Sequence, residues 1–119
     1  MSDIKVYNVR FAKGATWKLA FTWYDKNATT GVKTAKNLTG YTAKLQIRRS
    51  GTAILTTSTA LNTITLGGTA GTVVSIASAT LTGACDAGSA EWAIELTSSG
   101  GEVTEVLRGQ AMIEPEIVV

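Results

Sequence analysis

The residues in this chain that could carry out chemistry are few, and the missing type is the most informative. The 119-residue sequence contains no His. Without imidazole there is no Ser–His or Cys–His nucleophile arrangement and no general base of the commonest kind. The one Cys, Cys85, stands beside Asp86, whose charge disfavours the thiolate; it reads as a small, inert turn residue. One Cys and no His cannot assemble a zinc site, and no cofactor is expected. Glu91, Glu95, Glu102 and Glu105 fall close together, but a glycosidase-like pair needs two acids flanking a cleft. Acids on the wet face of a strand solubilise it instead. Gly67-Gly68-Thr69-Ala70-Gly71-Thr72 lacks the Lys of a phosphate-binding loop and precedes no helical segment, so it reads as a turn. The inventory points to a binding or structural module and away from an enzyme.

Charge is distributed unevenly. Residues 1–50 hold ten Lys/Arg against Asp3 and Asp25, a balance of +8; residues 51–119 hold Arg108 against seven acids, a balance of −6. Lys44, Arg48, Arg49 and the tryptophans could form a basic, aromatic groove for nucleic acid. However, Trp17 and Trp23 share phase with Leu19 and Phe21, and Trp92 with Ile94 and Leu96, which places these rings in a core. Nucleic acid is therefore not an expected partner. Two readings of the split charge remain: solvated strand faces, or two oppositely charged surfaces that meet on assembly. No apolar run approaches the roughly 20 residues of a membrane helix. The start, MSDIKVYNVR, carries no apolar leader-like stretch, and a lone Cys suits a reducing cytoplasm. The Asn27-Ala28-Thr29 and Asn37-Leu38-Thr39 sequons read as Thr-rich turns.

Positioning these residues falls to strands. Trp17, Leu19, Phe21 and Trp23 alternate with Lys18, Ala20, Thr22 and Tyr24; Ala43, Leu45 and Ile47 with Lys44, Gln46 and Arg48; Ala90, Trp92, Ile94 and Leu96 with Glu91, Ala93, Glu95 and Thr97. A period of two predicts strands with one buried face. Further strands are predicted at 4–9, 54–57, 63–66, 72–77 and 103–113, the last with a bulge or bend at Gly109. A hairpin is expected at Ser98-Ser99-Gly100-Gly101-Glu102, a polar loop over 25–37 and a short helical turn within 79–87. The fold class is all-β: one domain over 1–119, a single antiparallel β-sandwich of seven to eight strands.

Several motifs carry a resemblance. They are Phe11-x-x-Gly14-x-Thr16-Trp17, Phe21-Thr22-Trp23-x-Asp25, Asn37-Leu38-Thr39-Gly40-Tyr41-Thr42-Ala43-Lys44-Leu45-Gln46-Ile47-Arg48 and Ile64-Thr65-Leu66-Gly67-Gly68. Gly88, Trp92, Leu96-Thr97-Ser98-Ser99-Gly100-Gly101, Leu107-x-Gly109 and Glu114-Pro115-Glu116 complete the set. Together they resemble a family of small tailed-bacteriophage structural proteins with an immunoglobulin-like fold, similar to the N-terminal module of phage baseplate upper proteins. The chain departs from the pattern at Ala90, where an aromatic is frequent, with Trp92 two residues on.

The resemblance implies a virion protein made in the bacterial cytoplasm that docks other phage structural proteins in the tail, baseplate or neck, in multiple copies. A capsid decoration protein would need the same chemistry. A carbohydrate-binding module would use Tyr7, Tyr24 and Tyr41. Candidate interface residues are Lys44, Arg48 and Arg49 on one side and Glu102, Glu105 and Glu114 on the other. The terminal EPEIVV, residues 114–119, is expected to be covered on assembly.

Overall fold

The alternating segments form the frame of the molecule. A computed structural model describes residues 5–26 and 29–116. Its strands are β1 (Lys5–Val6), β2 (Val9–Ala12), β3 (Trp17–Thr22), β4 (Tyr24–Lys26), β5 (Lys33–Ala35), β6 (Thr42–Arg49), β7 (Thr52–Ser58), β8 (Ile64–Leu66), β9 (Thr72–Ala77), β10 (Gly88–Thr97) and β11 (Val103–Glu114). Strands make up more than half of the described residues and helix very little. The helical turn is α1 (Ala79–Gly83), capped by the Ser78 side chain accepting from the Leu81 amide; a hydroxyl there satisfies an amide the helix cannot.

The larger sheet runs β11–β10–β6–β7, with β1 and β2 both paired to β11; the smaller runs β3–β9–β8, and β4–β5 is a separate two-stranded ribbon. The two sheets contribute to one buried cluster, a sandwich-like arrangement. From the larger sheet come Phe11, Leu45, Ile47, Trp92, Ile94, Leu96 and Ile113, and from the smaller Trp17, Leu19, Ile64 and Val73. Phe11 stacks on Trp17 with centroids 4.7 Å apart, and Trp17 meets Trp92 edge-on at 6.4 Å, both favoured aromatic geometries. The buried hydroxyls of Thr57 and Ser75 bond each other at 2.8 Å across the sheets, so neither is left unpaired in the core.

The sheets are not purely antiparallel. β1 and β2 run parallel to β11. Only hairpins force antiparallel pairing, and about a hundred residues separate these strands, so their direction is set by packing alone. The opening strand predicted at 4–9 is two strands broken at Tyr7–Asn8; Ile4 lies outside the described residues. Register is kept through the break, Val6 facing Arg108 and Val9 facing Ala111. Gly109 lies opposite the break, and any Cβ on it would run into the Tyr7 carbonyl. Gly109 is thus a close approach of two backbones. The bulge lies elsewhere, between the pairs Ile94–Leu107 and Glu95–Glu105, with Val106 the extra residue.

The strands at 54–57, 63–66 and 72–77, the short helical turn and the Ser98–Glu102 hairpin all form. The stretch 25–37 is not simply a loop: it contains most of the β4–β5 ribbon. That ribbon is fixed at its base, where the Trp23 amide donates to the Gly71 carbonyl and the Lys36 amide to the Trp23 carbonyl. Gly71, at φ +68°, leaves no room there for a side chain. The molecule measures 51 × 25 × 25 Å. Its radius of gyration of 15.1 Å exceeds the ~13.5 Å of a compact domain of this length.

Candidate functional site

The outer face of β6, β10 and β11 gathers six charged residues that the sequence scatters. Residues opposite one another across an antiparallel pair point to the same side, so the register fixes three rungs. Gln110, Glu91 and Arg48 form the first; Arg108, Ala93 and Gln46 the second; Glu105, Glu95 and Lys44 the third. The bulge is decisive for the last. Skipping Val106 lets both Val106 and Leu107 pack against the core and sets Glu105 beside Glu95.

Ala93, one methyl between the long side chains of Arg108 and Gln46, forms the floor of a shallow concavity of about 570 Å³. Lys44, Arg48, Glu91, Glu95, Glu105 and Arg108 line it, with Val6 and Asn8 on one rim. Its floor is stiffened from beneath. The Trp92 indole N–H donates to the Tyr7 carbonyl at 2.8 Å, and the Gln110 amide donates to Asn8 Oδ1 at 3.0 Å. Arg108 Nε holds Glu105 Oε1 at 3.1 Å, and Arg48 donates to the Gly51 carbonyl at 2.6 Å. Lys44, Glu91 and Glu95 make no ion pair within 4.0 Å among the described residues, so their charges face outward uncommitted.

Of the six interface candidates, the structure brings together Lys44, Arg48 and Glu105. Arg49 does not join them: it reaches along the end of the sheet to donate to the Ser89 and Asp86 carbonyls, both at 3.1 Å. Glu114 pairs with Arg10 at 3.0 Å, a link between β11 and β2. Glu102 is in the β10–β11 turn, its backbone bonded to Ser98. The two oppositely charged surfaces are therefore not separate. Lys44 and Arg48 stand directly opposite Glu95 and Glu91 within one sheet, because the basic first half and the acidic second half of the chain are interleaved as neighbouring strands. Ile117–Val119 and the sequon residues Asn27 and Ala28 lie outside the described residues.

Alternation marks Gln46, Glu91 and Glu95 as wet residues but does not pair them with Arg108 or Gln110. The one local signal was the pair Val106–Leu107, which breaks the alternation of the last strand.

Trp23 packs against the core cluster from just beyond the strand. It falls after β3, half-buried, with Tyr41 edge-on at 6.3 Å, and Lys36 Nζ 5.0 Å over its ring. Lys36 in turn pairs with Asp25 at 3.4 Å. Tyr7 and Tyr24 are exposed, while Tyr41 is half-buried against the cluster. At the other sequon, Asn37 Oδ1 accepts from the Thr39 amide and hydroxyl at 3.0 and 2.7 Å, a local turn.

Cys85 is buried, its Sγ 3.5 Å from the Ile54 carbonyl. Burial pushes the thiol's pKa up; Arg49 and Lys13 oppose this, and Asp86 adds to it. Among the described residues no cluster of three or more His, Cys, Asp or Glu could hold a metal ion. No helix of the structure is long and apolar enough to cross a membrane.

No protein-family model matches the chain, and no curated protein matches it. Among solved structures it is similar to CopC from Methylosinus trichosporium OB3b, with 9% identity and a TM-score of 0.38 over 73% of this chain and 76% of that one. It is also similar to extracellular domains 3–5 of Drosophila OTK, with 13% identity and a TM-score of 0.34 over 92% of this chain and 33% of that one.

Proposed function

We propose that this chain is a non-enzymatic protein–protein docking module, an immunoglobulin-like domain of a bacteriophage tail, baseplate or neck, and that it docks through the outer face of β6, β10 and β11. The observation that carries the docking reading is the laddered face itself. Lys44, Arg48 and Arg108 alternate there with Glu91, Glu95 and Glu105 around the Ala93 floor. An open surface with both signs in fixed register selects a partner bearing the complementary pattern and resists one that does not, giving specificity more than raw affinity.

A carboxylate pair does lie side by side here, Glu95 opposite Glu105. Its setting is an open sheet face with a cation beside each acid, unlike the cleft of a glycosidase. The assignment to a phage particle rests on the motif resemblance around Leu38–Arg48. In this reading the other virion proteins are the partners, and the chain is present in several copies.

The test is gold-labelled antibody imaging of the parent phage particle with serum against this chain. Label confined to tail, baseplate or neck is the expected result. Uniform label over the head would replace the reading with capsid decoration, and unlabelled particles would overturn the virion assignment.

A further inference from the structure

We propose that β3 is a self-association edge: two copies of the chain join antiparallel through this strand, turning two three-stranded sheets into one six-stranded sheet. This surface is separate from the charged face and does not depend on the phage reading. β3 bonds β9 on one side only, and no described strand pairs with its other side. An open strand edge presents a row of unpaired N–H and C=O groups that another strand can satisfy.

The sequence of β3 favours a second copy in one register. With Ala20 opposite Ala20 of the other copy, Lys18 faces Thr22 and Leu19 faces Phe21, each twice. The smallest side chain then sits on the two-fold axis, and the lysines, the charged residues of this strand, stand about 14 Å apart. On the inner side Phe21, half-buried in the single chain, gains Leu19 as a cross-strand neighbour, a favourable aromatic–aliphatic pair. Centring on Leu19 instead would bring the lysines to about 8 Å. The outer face of this sheet adds no opposing charge. Beside Lys18 stand Ala20, Thr22, Thr65, Thr72, Val74 and Ile76. An isologous pair of this kind closes on itself and does not propagate into fibres.

The experiment is sedimentation equilibrium of the purified chain from micromolar to high micromolar concentration, combined with mild oxidation of single-cysteine variants. Doubling of the mass with concentration is expected. Ala20→Cys should form a disulfide-linked dimer, because directly opposite Cα atoms lie about 4.5–5.5 Å apart, within the disulfide range. Lys18→Cys, with its counterpart far off, should not. Native Cys85 is buried and gives no background. Ala20→Lys sets two charges face to face on an exposed position and should weaken the dimer at least about tenfold, with an unchanged urea midpoint at concentrations where the native chain is monomeric confirming the fold. A monomer at every concentration would overturn the proposal. So would a dimer indifferent to Ala20→Lys, or crosslinking of Lys18→Cys as fast as Ala20→Cys.

Discussion

The outer faces of the two sheets solve the same problem differently. On the larger sheet, long charged side chains stand in register, Arg48 against Glu91 and Lys44 against Glu95. On the smaller, Lys18 faces Ile76, Ala20 faces Val74 and Thr22 faces Thr72. Both are wet faces of alternating strands, yet one sets opposite charges across from each other and the other is nearly uncharged. The charged face uses residues brought from both halves of the chain, and its concavity exists because Ala93 is short between long neighbours. The uncharged face borders an open edge. One face is thus suited to reading a partner's charge pattern, the other to extension by a strand.

The contrast can be broken most strongly from beneath. Trp92→Ala should cost about 3–5 kcal/mol in a urea titration, since it empties a large core volume and strands the Tyr7 carbonyl that the indole now satisfies. Val74→Ala, a half-buried truncation on the other sheet, should cost no more than about 1 kcal/mol. Equal losses would show that the two faces share their support.

A smaller effect sharpens the electrostatic side. Arg48→Glu places an acid opposite Glu91 and should destabilise the fold by roughly 0.2–1 kcal/mol, an effect that shrinks as salt is raised. Lys18→Glu, opposite Ile76, should stay within about 0.5 kcal/mol and show no salt dependence. If both respond alike to salt, the rungs do not act as cross-strand pairs.

The smallest effect belongs to neither face. Burial holds the Cys85 pKa above its ordinary value of 9.0. Its contribution to stability is fully present below about pH 9 and is lost as pH rises through the higher folded value. Above pH 9, therefore, the native chain should lose stability slightly faster than Cys85→Ala, read as the difference between their urea midpoints. Parallel curves would mean that the thiol does not ionise on unfolding.

Much of the frame was legible in the residues. The alternation of 17–22, 43–48 and 90–97 yielded the three main strands and their wet faces, and Ser98–Glu102 yielded its hairpin, because both depend on neighbours within a few positions. Trp23 continues the phase of Leu19 and Phe21 and packs against the core only half-buried, because the chain leaves β3 at that point, held by the Gly71 and Lys36 backbone. The site was half legible. That Lys44, Arg48, Glu91 and Glu95 face solvent follows from alternation, whereas the partner of each does not.

The sequence by itself determined the class of the molecule: an all-β chain whose lack of His bars imidazole chemistry and whose alternation sorts buried from wet. Tertiary structure decided which wet residues meet. Side-chain direction is a local property of an extended backbone, but register between strands such as β6 and β10, or β1 and β11, is settled by how core side chains fit across the sheets. One skipped residue, Val106, was enough to set Glu105 beside Glu95 and complete the charged face.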